Sequence, residues 1–125
     1  MKDALLVFVG GGAGSVLRYY AGKTALYSPA LSFPWNTFAV NVFGSFLLGF
    51  LFSYLGCAND QNQQQWRLLL GAGFCGGFTT FSTFTREGLL LAGHNQPVIF
   101  LLYVFGSLAA GLVAVAAGMW LARLI

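Results

Sequence analysis

Four long apolar runs separated by short polar stretches organise the chain. The first extends from Ala4 to about Leu26, is interrupted near its end by Arg18 and Lys23, and is followed by a Ser28-Pro29 pair that marks a turn. The second, Phe33 to Leu55, carries Pro34 near its start, where a helix tolerates proline. It stops at Gly56, ahead of Asn59-Asp60-Gln61-Asn62-Gln63-Gln64-Gln65, the clearest loop in the pattern. The third opens at Trp66 and Arg67 and reaches Gly93. The fourth runs from Pro97 to Leu124, with Trp120 and Arg123 at its far end as interfacial anchors. At about 20 apolar residues per membrane-spanning helix, four crossings fit in such a chain and five do not. The pattern predicts an all-α membrane protein, with residues 1–125 forming one unit of four transmembrane helices.

The third run is the irregular one. As a single helix its roughly 28 residues would reach about 42 Å, against a hydrocarbon core of about 30 Å. Its centre, Gly76-Gly77-Phe78-Thr79-Thr80-Phe81-Ser82-Thr83-Phe84, is rich in glycine and threonine, both weaker helix formers than leucine or alanine. A broken third helix is therefore expected there. Small residues four apart let helix backbones approach where lipid offers no hydrophobic drive for association. The first run has the pair Gly10 and Gly14, and the fourth has Gly106, Ala110, Ala114 and Gly118, with Tyr103, Ser107 and Gly111 on an adjacent row. These stripes read as packing seams. Gly10-Gly11-Gly12-Ala13-Gly14-Ser15 has the look of a phosphate loop without the lysine or the strand-to-helix context that one needs.

Composition sharpens this picture by exclusion. Hydrophobic side chains make up 58% of the sequence and charged ones only 7%, which rules out a soluble domain. Six scattered cations form no clustered basic face, so nucleic acid is not an expected partner. Cys57 and Cys75 lack metal-ligand spacing and read as small apolar residues. Cytoplasmic loops normally carry the excess of lysine and arginine. Under four spans, however, Lys2, Arg67 and Arg123 fall on one side and Arg18, Lys23 and Arg86 on the other, a tie that gives no orientation. Chance in a small protein is one explanation. The sharper one is a chain that inserts both ways and pairs antiparallel about a two-fold axis in the membrane plane.

Catalysis has little to stand on, since the single histidine, His94, and the three carboxylates Asp3, Asp60 and Glu87 provide no acid-base pair by spacing. Transport fits better, because non-helical backbone at membrane depth survives only inside protein or beside a watery cavity. A break exposes carbonyls that can hold a small cation and hydroxyls that can donate to an anion. Thr79, Thr80, Ser82 and Thr83 offer four hydroxyls in five positions, and the bland alternative is that each bonds back to a carbonyl of its own helix. Phe78, Phe81 and Phe84 recur every three residues, facing either lipid or a small anion through their positive ring edges. Asn41 lies mid-span between Val40 and Val42, where an amide needs a partner, either another helix or an anion. Tyr103 and Ser107, one turn apart, extend a donor track along the fourth helix.

These residues resemble the small bacterial fluoride channels, the CrcB or Fluc family. The resemblance is carried by Gly10 to Tyr19, by Pro34, Thr37 and Val40-Asn41, by the nine residues from Gly76 to Phe84 with Glu87, and by Gly106-Ser107; it covers essentially the whole chain. It implies a fluoride-selective channel giving passive fluoride efflux across the bacterial cytoplasmic (inner) membrane, and so lower cytoplasmic fluoride and less toxicity. It implies a dual-topology antiparallel homodimer in the bilayer, with two antiparallel pores. It further implies a central structural sodium ion, Na+, bound by the backbone carbonyls of Gly76 and Thr79 at the dimer interface. Phe81 and Phe84 would line the pores, and Asn41, Ser82, Thr83, Tyr103 and Ser107 match the family's polar pore positions. Arg18 corresponds to an arginine that shapes a vestibule or the subunit packing.

Two positions depart from that pattern. Asn36 stands where the family usually has glycine before Thr37, and Gly111 stands one turn beyond Ser107, where some members place a hydroxyl residue. Two other functions fit the architecture alone. A small multidrug exporter also has four helices, but relies on a membrane-embedded glutamate in its first helix, and here that helix has only Asp3 at its start. A non-conducting scaffold subunit would explain the small-residue stripes, but not the concentration of glycines, hydroxyls and rings between Gly76 and Phe84.

Overall fold

The structure, a computed structural model, describes residues 1–23, 33–56 and 60–125. Four helical stretches are long and apolar enough to cross a membrane: Lys2–Lys23, Trp35–Tyr54, Gln61–Gly93 and Pro97–Ala122. The protein is an all-α, multi-pass membrane protein. The Ser28-Pro29 turn, the end of the first run beyond Lys23, and Cys57 lie outside the described residues.

Helix α1 (Lys2–Lys23) opens with Asp3 in its first turn and closes with Lys23 in its last, each at the end where the helix dipole favours its charge. Helix α2 (Trp35–Tyr54) follows Pro34, whose carbonyl accepts the Phe38 amide at 3.1 Å. It ends at Leu55 and Gly56, the latter at φ 57°, a left-handed conformation that glycine adopts without a Cβ penalty.

The polar stretch expected to be a loop is largely helical. Asp60 accepts the Asn62 amide at 3.3 Å and starts α3 (Gln61–Trp66). Glutamine is a good helix former once a cap is present, so the absence of apolar periodicity marks only a helix that buries nothing. From Arg67 to Cys75 the chain continues as a π-helical segment with the wider i→i+5 bonding, and then as the single turn α4 (Gly76–Phe78). Thr79 (φ −78°, ψ 159°) and Thr80 (φ −148°, ψ 114°) are extended. Helix α5 (Phe81–Gly93) starts directly after them, capped by Thr80 Oγ1, which accepts the Thr83 amide at 3.2 Å. Helix α6 (Pro97–Ala122) begins with proline in its first turn.

Two intimate pairings hold the chain together: α2 lies along α6, and α1 lies along the π-helical segment and α4. Both depend on missing side chains. A Cβ at Gly10 would strike the Leu69 carbonyl, one at Gly14 the Phe74 carbonyl, and one at Gly118 the Phe46 carbonyl. Gly10 and Gly14 thus seat α1 on the π-helical segment, while Ala114 and Gly118 are buried in the α2–α6 seam. Gly106, in the same row of α6, has open space beside it and belongs to no seam of this subunit. Among the large side chains of the described residues Tyr103 alone is completely enclosed, whereas many apolar side chains, Phe8, Phe105, Leu102 and Leu112 among them, are exposed, as lipid-facing helices require.

Candidate functional site

Ending the α4 turn at Phe78 and restarting at Phe81 leaves backbone groups without their helical partners. In hydrocarbon every such group needs another partner, and the structure supplies these from two other helices. From α2, Asn41 pairs with both main-chain groups of Thr80: the Thr80 amide donates to Oδ1 at 2.8 Å, and Nδ2 donates to the Thr80 carbonyl at 3.1 Å. From α1, the Gly77 carbonyl receives Arg18 Nε at 3.0 Å and Ser15 Oγ at 3.4 Å. Asn41 thereby makes the interhelical bond that its position suggested, as a staple, and one Nδ2 hydrogen is left over. Arg18 reaches the backbone of its own subunit rather than standing free.

The hydroxyls divide. Thr79 Oγ1 donates back to the Cys75 carbonyl at 2.9 Å, as an ordinary helical threonine does. Thr80, Ser82 and Thr83 bond to one another instead: Thr80 Oγ1 lies 2.9 Å from Thr83 Oγ1 and 3.4 Å from Ser82 Oγ. Thr80 is the centre of that cluster. The three phenylalanines also separate, because the extended residues rotate α5 away from α4. Phe78 is buried and stacked on Phe74 at 5.8 Å, while Phe81 is 76% exposed on this subunit and tilted against Phe84 at 5.9 Å. Phe84 in turn touches the Tyr103 ring at 5.0 Å.

Behind these rings lies a group that spacing did not reveal. The Glu87 carboxylate accepts the Tyr103 hydroxyl at 2.7 Å and the Thr37 hydroxyl at 3.0 Å, joining α5, α6 and α2. Read from sequence, Glu87 has only the adjacent Arg86 as a charged neighbour, and Thr37 stands out only through the family resemblance. A carboxylate inside an apolar run was the available signal, since such a group requires donors.

A cleft of about 640 Å³ opens between α2, α6 and the third stretch. Asn41, Phe81, Phe84 and Ser107 line it together, as do Gly76 and Thr79. Tyr103 stands behind Phe84, wholly buried and committed to Glu87. Ser82, Thr83 and Arg18 lie beside the extended residues and do not line the cleft. Asn36 sits in the first turn of α2.

Among the described residues no three His, Cys, Asp or Glu side chains gather as a metal site. Main-chain oxygens are a different matter. The Thr80 amide that would close a helical bond to the Gly76 carbonyl is donated to Asn41, and the Thr83 amide that would reach the Thr79 carbonyl is donated to Thr80 Oγ1. Two carbonyls facing no i+4 donor, both from residues that line the cleft, are the neutral oxygen set that suits a hard monovalent cation.

Residues 5–119 match the family described as CrcB-like protein, Camphor Resistance (CrcB). The chain is also 48% identical over 124 residues to a protein of Chlorobaculum tepidum, covering 99% of this chain and 97% of that one. A protein of Bacteroides fragilis is 48% identical over 124 residues, with 97% of this chain and 96% of that one covered. One of Phocaeicola vulgatus is 42% identical over 123 residues, with 98% and 100% covered. Each of the three is named a fluoride-specific ion channel, FluC. A match from end to end that takes in the Asn41 staple, the extended threonines and the paired rings means that this chain belongs to the CrcB family.

Proposed function

We propose that the protein is a fluoride-selective channel that lets fluoride leave the bacterial cytoplasm passively across the inner membrane, lowering its toxicity. The observation that carries this reading is the extended Thr79–Thr80 segment, fixed by Asn41 beside the Phe81 and Phe84 rings in one cleft. The near full-length identity to proteins named fluoride-specific ion channels supports it. Fluoride is small and tightly hydrated, so a passage must replace its water with close donors. Ser107 Oγ, buried without a hydrogen-bond partner, and the remaining Nδ2 hydrogen of Asn41 are such donors. The positive edges of Phe81 and Phe84 face an anion without the tight trapping of a buried cation. Closed down to a narrow aromatic-lined passage by a second copy, such a path would disfavour the larger chloride.

The working form is a homodimer whose subunits insert in opposite directions, giving two antiparallel pores. Phe81, 76% exposed on the single chain, is a large apolar ring that a second copy would cover. The tied cation count removes any preferred orientation. Sodium is the resident ion of this reading, and the Gly76 and Thr79 carbonyls of both subunits would hold it. When bound it supplies a fixed positive charge at the subunit junction. The chain's own groups do the rest: Asn41 holds Thr80, Arg18 and Ser15 hold Gly77, and Thr80 starts α5 so that both rings turn into the cleft.

Fluoride efflux from proteoliposomes, followed with a fluoride electrode, tests the proposal. Rapid protein-dependent loss of fluoride without loss of chloride is expected, and a verified dimer that releases no fluoride would return the scaffold reading to first place.

A further inference from the structure

The donor row of α6 stops one turn early. Tyr103, Ser107 and Gly111 succeed one another at intervals of four and so share a face, but the third position has no side chain. On α2, Asn41 and Ser45 are likewise four apart, and all but Tyr103 of these residues line the cleft. A Cβ built at Gly111 would have Ser45 Oγ as its only neighbour within 4 Å, at 3.7 Å. The Ser45 hydroxyl thus stands beside the place where a side chain on residue 111 would begin. No other group claims it: Ser45 Oγ has no hydrogen-bond partner among the described residues, and Ser107 Oγ one turn away is buried and equally free. A serine in a helix ordinarily bonds back to its own carbonyls, so two unpaired hydroxyls on facing helices of one cleft are a pair of donors awaiting an acceptor.

We infer that Ser45, on α2, is a donor of the anion path at the level of Gly111, and that Ser45 and Ser107 together form a subsite for a small, strongly hydrated anion. The missing side chain at Gly111 gives the ion room between the two helices. This rests on the fluoride-channel reading above and adds to it a residue and a site.

The test moves the hydroxyl from one helix to the other. Fluoride efflux is measured from proteoliposomes holding the unaltered protein, Ser45→Ala, Gly111→Ser, or the double variant, after size-exclusion chromatography has checked each for assembly. Loss of one hydrogen bond to an ion slows Ser45→Ala efflux about tenfold or more. The double variant recovers most of that loss, because a Cβ at 111 fits beside position 45 without a clash and its hydroxyl replaces the one removed. A merely structural role for Ser45 would give no such rescue. Full-rate efflux by Ser45→Ala, or a slow variant that Gly111→Ser leaves slow, overturns the subsite while the channel reading stands. No fluoride efflux from the unaltered protein removes both.

Discussion

Asn41 is the residue on which the most converges. Replacing it by alanine strands the amide and the carbonyl of Thr80 away from water, at about 1–3 kcal/mol for each unsatisfied group. Asn41→Ala should therefore lower the unfolding midpoint in detergent and, since 1.4 kcal/mol is a factor of ten, reduce fluoride efflux about tenfold or more. Unchanged stability would remove the staple. Phe81 separates packing from permeation, because its ring is exposed on the subunit and holds little of the core. Phe81→Ile should slow fluoride efflux while the dimer still assembles, and normal efflux would remove the ring-edge argument. These two residues were conspicuous in the sequence, one as an amide among valines and the other within a dense run of rings and hydroxyls. Glu87 and Thr37 entered only through the family resemblance, because their contact is a meeting of three helices that no spacing along the chain encodes.

At the scale of elements, the glycines decide which helices can touch. Gly14 faces the Phe74 carbonyl, whereas Gly12, two residues earlier on the same helix, has nothing within 4 Å. Gly14→Ala should cost about 1–3 kcal/mol through overpacking against main chain, and Gly12→Ala should be neutral or slightly stabilising, as alanine is in a helix. Thermal unfolding of the two variants checks this, and equal midpoints would contradict the seam. The seams were legible as small residues four apart, but which rows are used was not: Gly106 repeats the pattern of Gly118, yet a Cβ there would meet nothing within 4 Å. Helix α3 was misread for the opposite reason, since a helix surrounded by solvent leaves no apolar period. The π-helical segment before α4, which lies along α1, was not distinguished in the sequence from an ordinary helix.

For the whole molecule, the four apolar runs defined the architecture directly, because crossing a bilayer leaves so few ways to satisfy a backbone. The proposed pairing of two such chains rests on the tied charge count and on a cleft that the single chain leaves open. If the tied cations are what permits both orientations, breaking the tie should break the pairing. Asp3→Lys with Ala4→Lys adds cations to one end of α1, biases insertion to one orientation, and should reduce both the dimer fraction and fluoride efflux; dimer yield equal to that of the unaltered protein would contradict dual insertion. The central claim is selective, passive fluoride conduction, and the most direct measurement is the reversal potential of the purified protein in a planar bilayer with opposed fluoride and chloride gradients. A current that reverses at the fluoride equilibrium potential, with no other energy source present, is the predicted result. Reversal at the chloride potential, or a silent bilayer containing verified dimers, would contradict it.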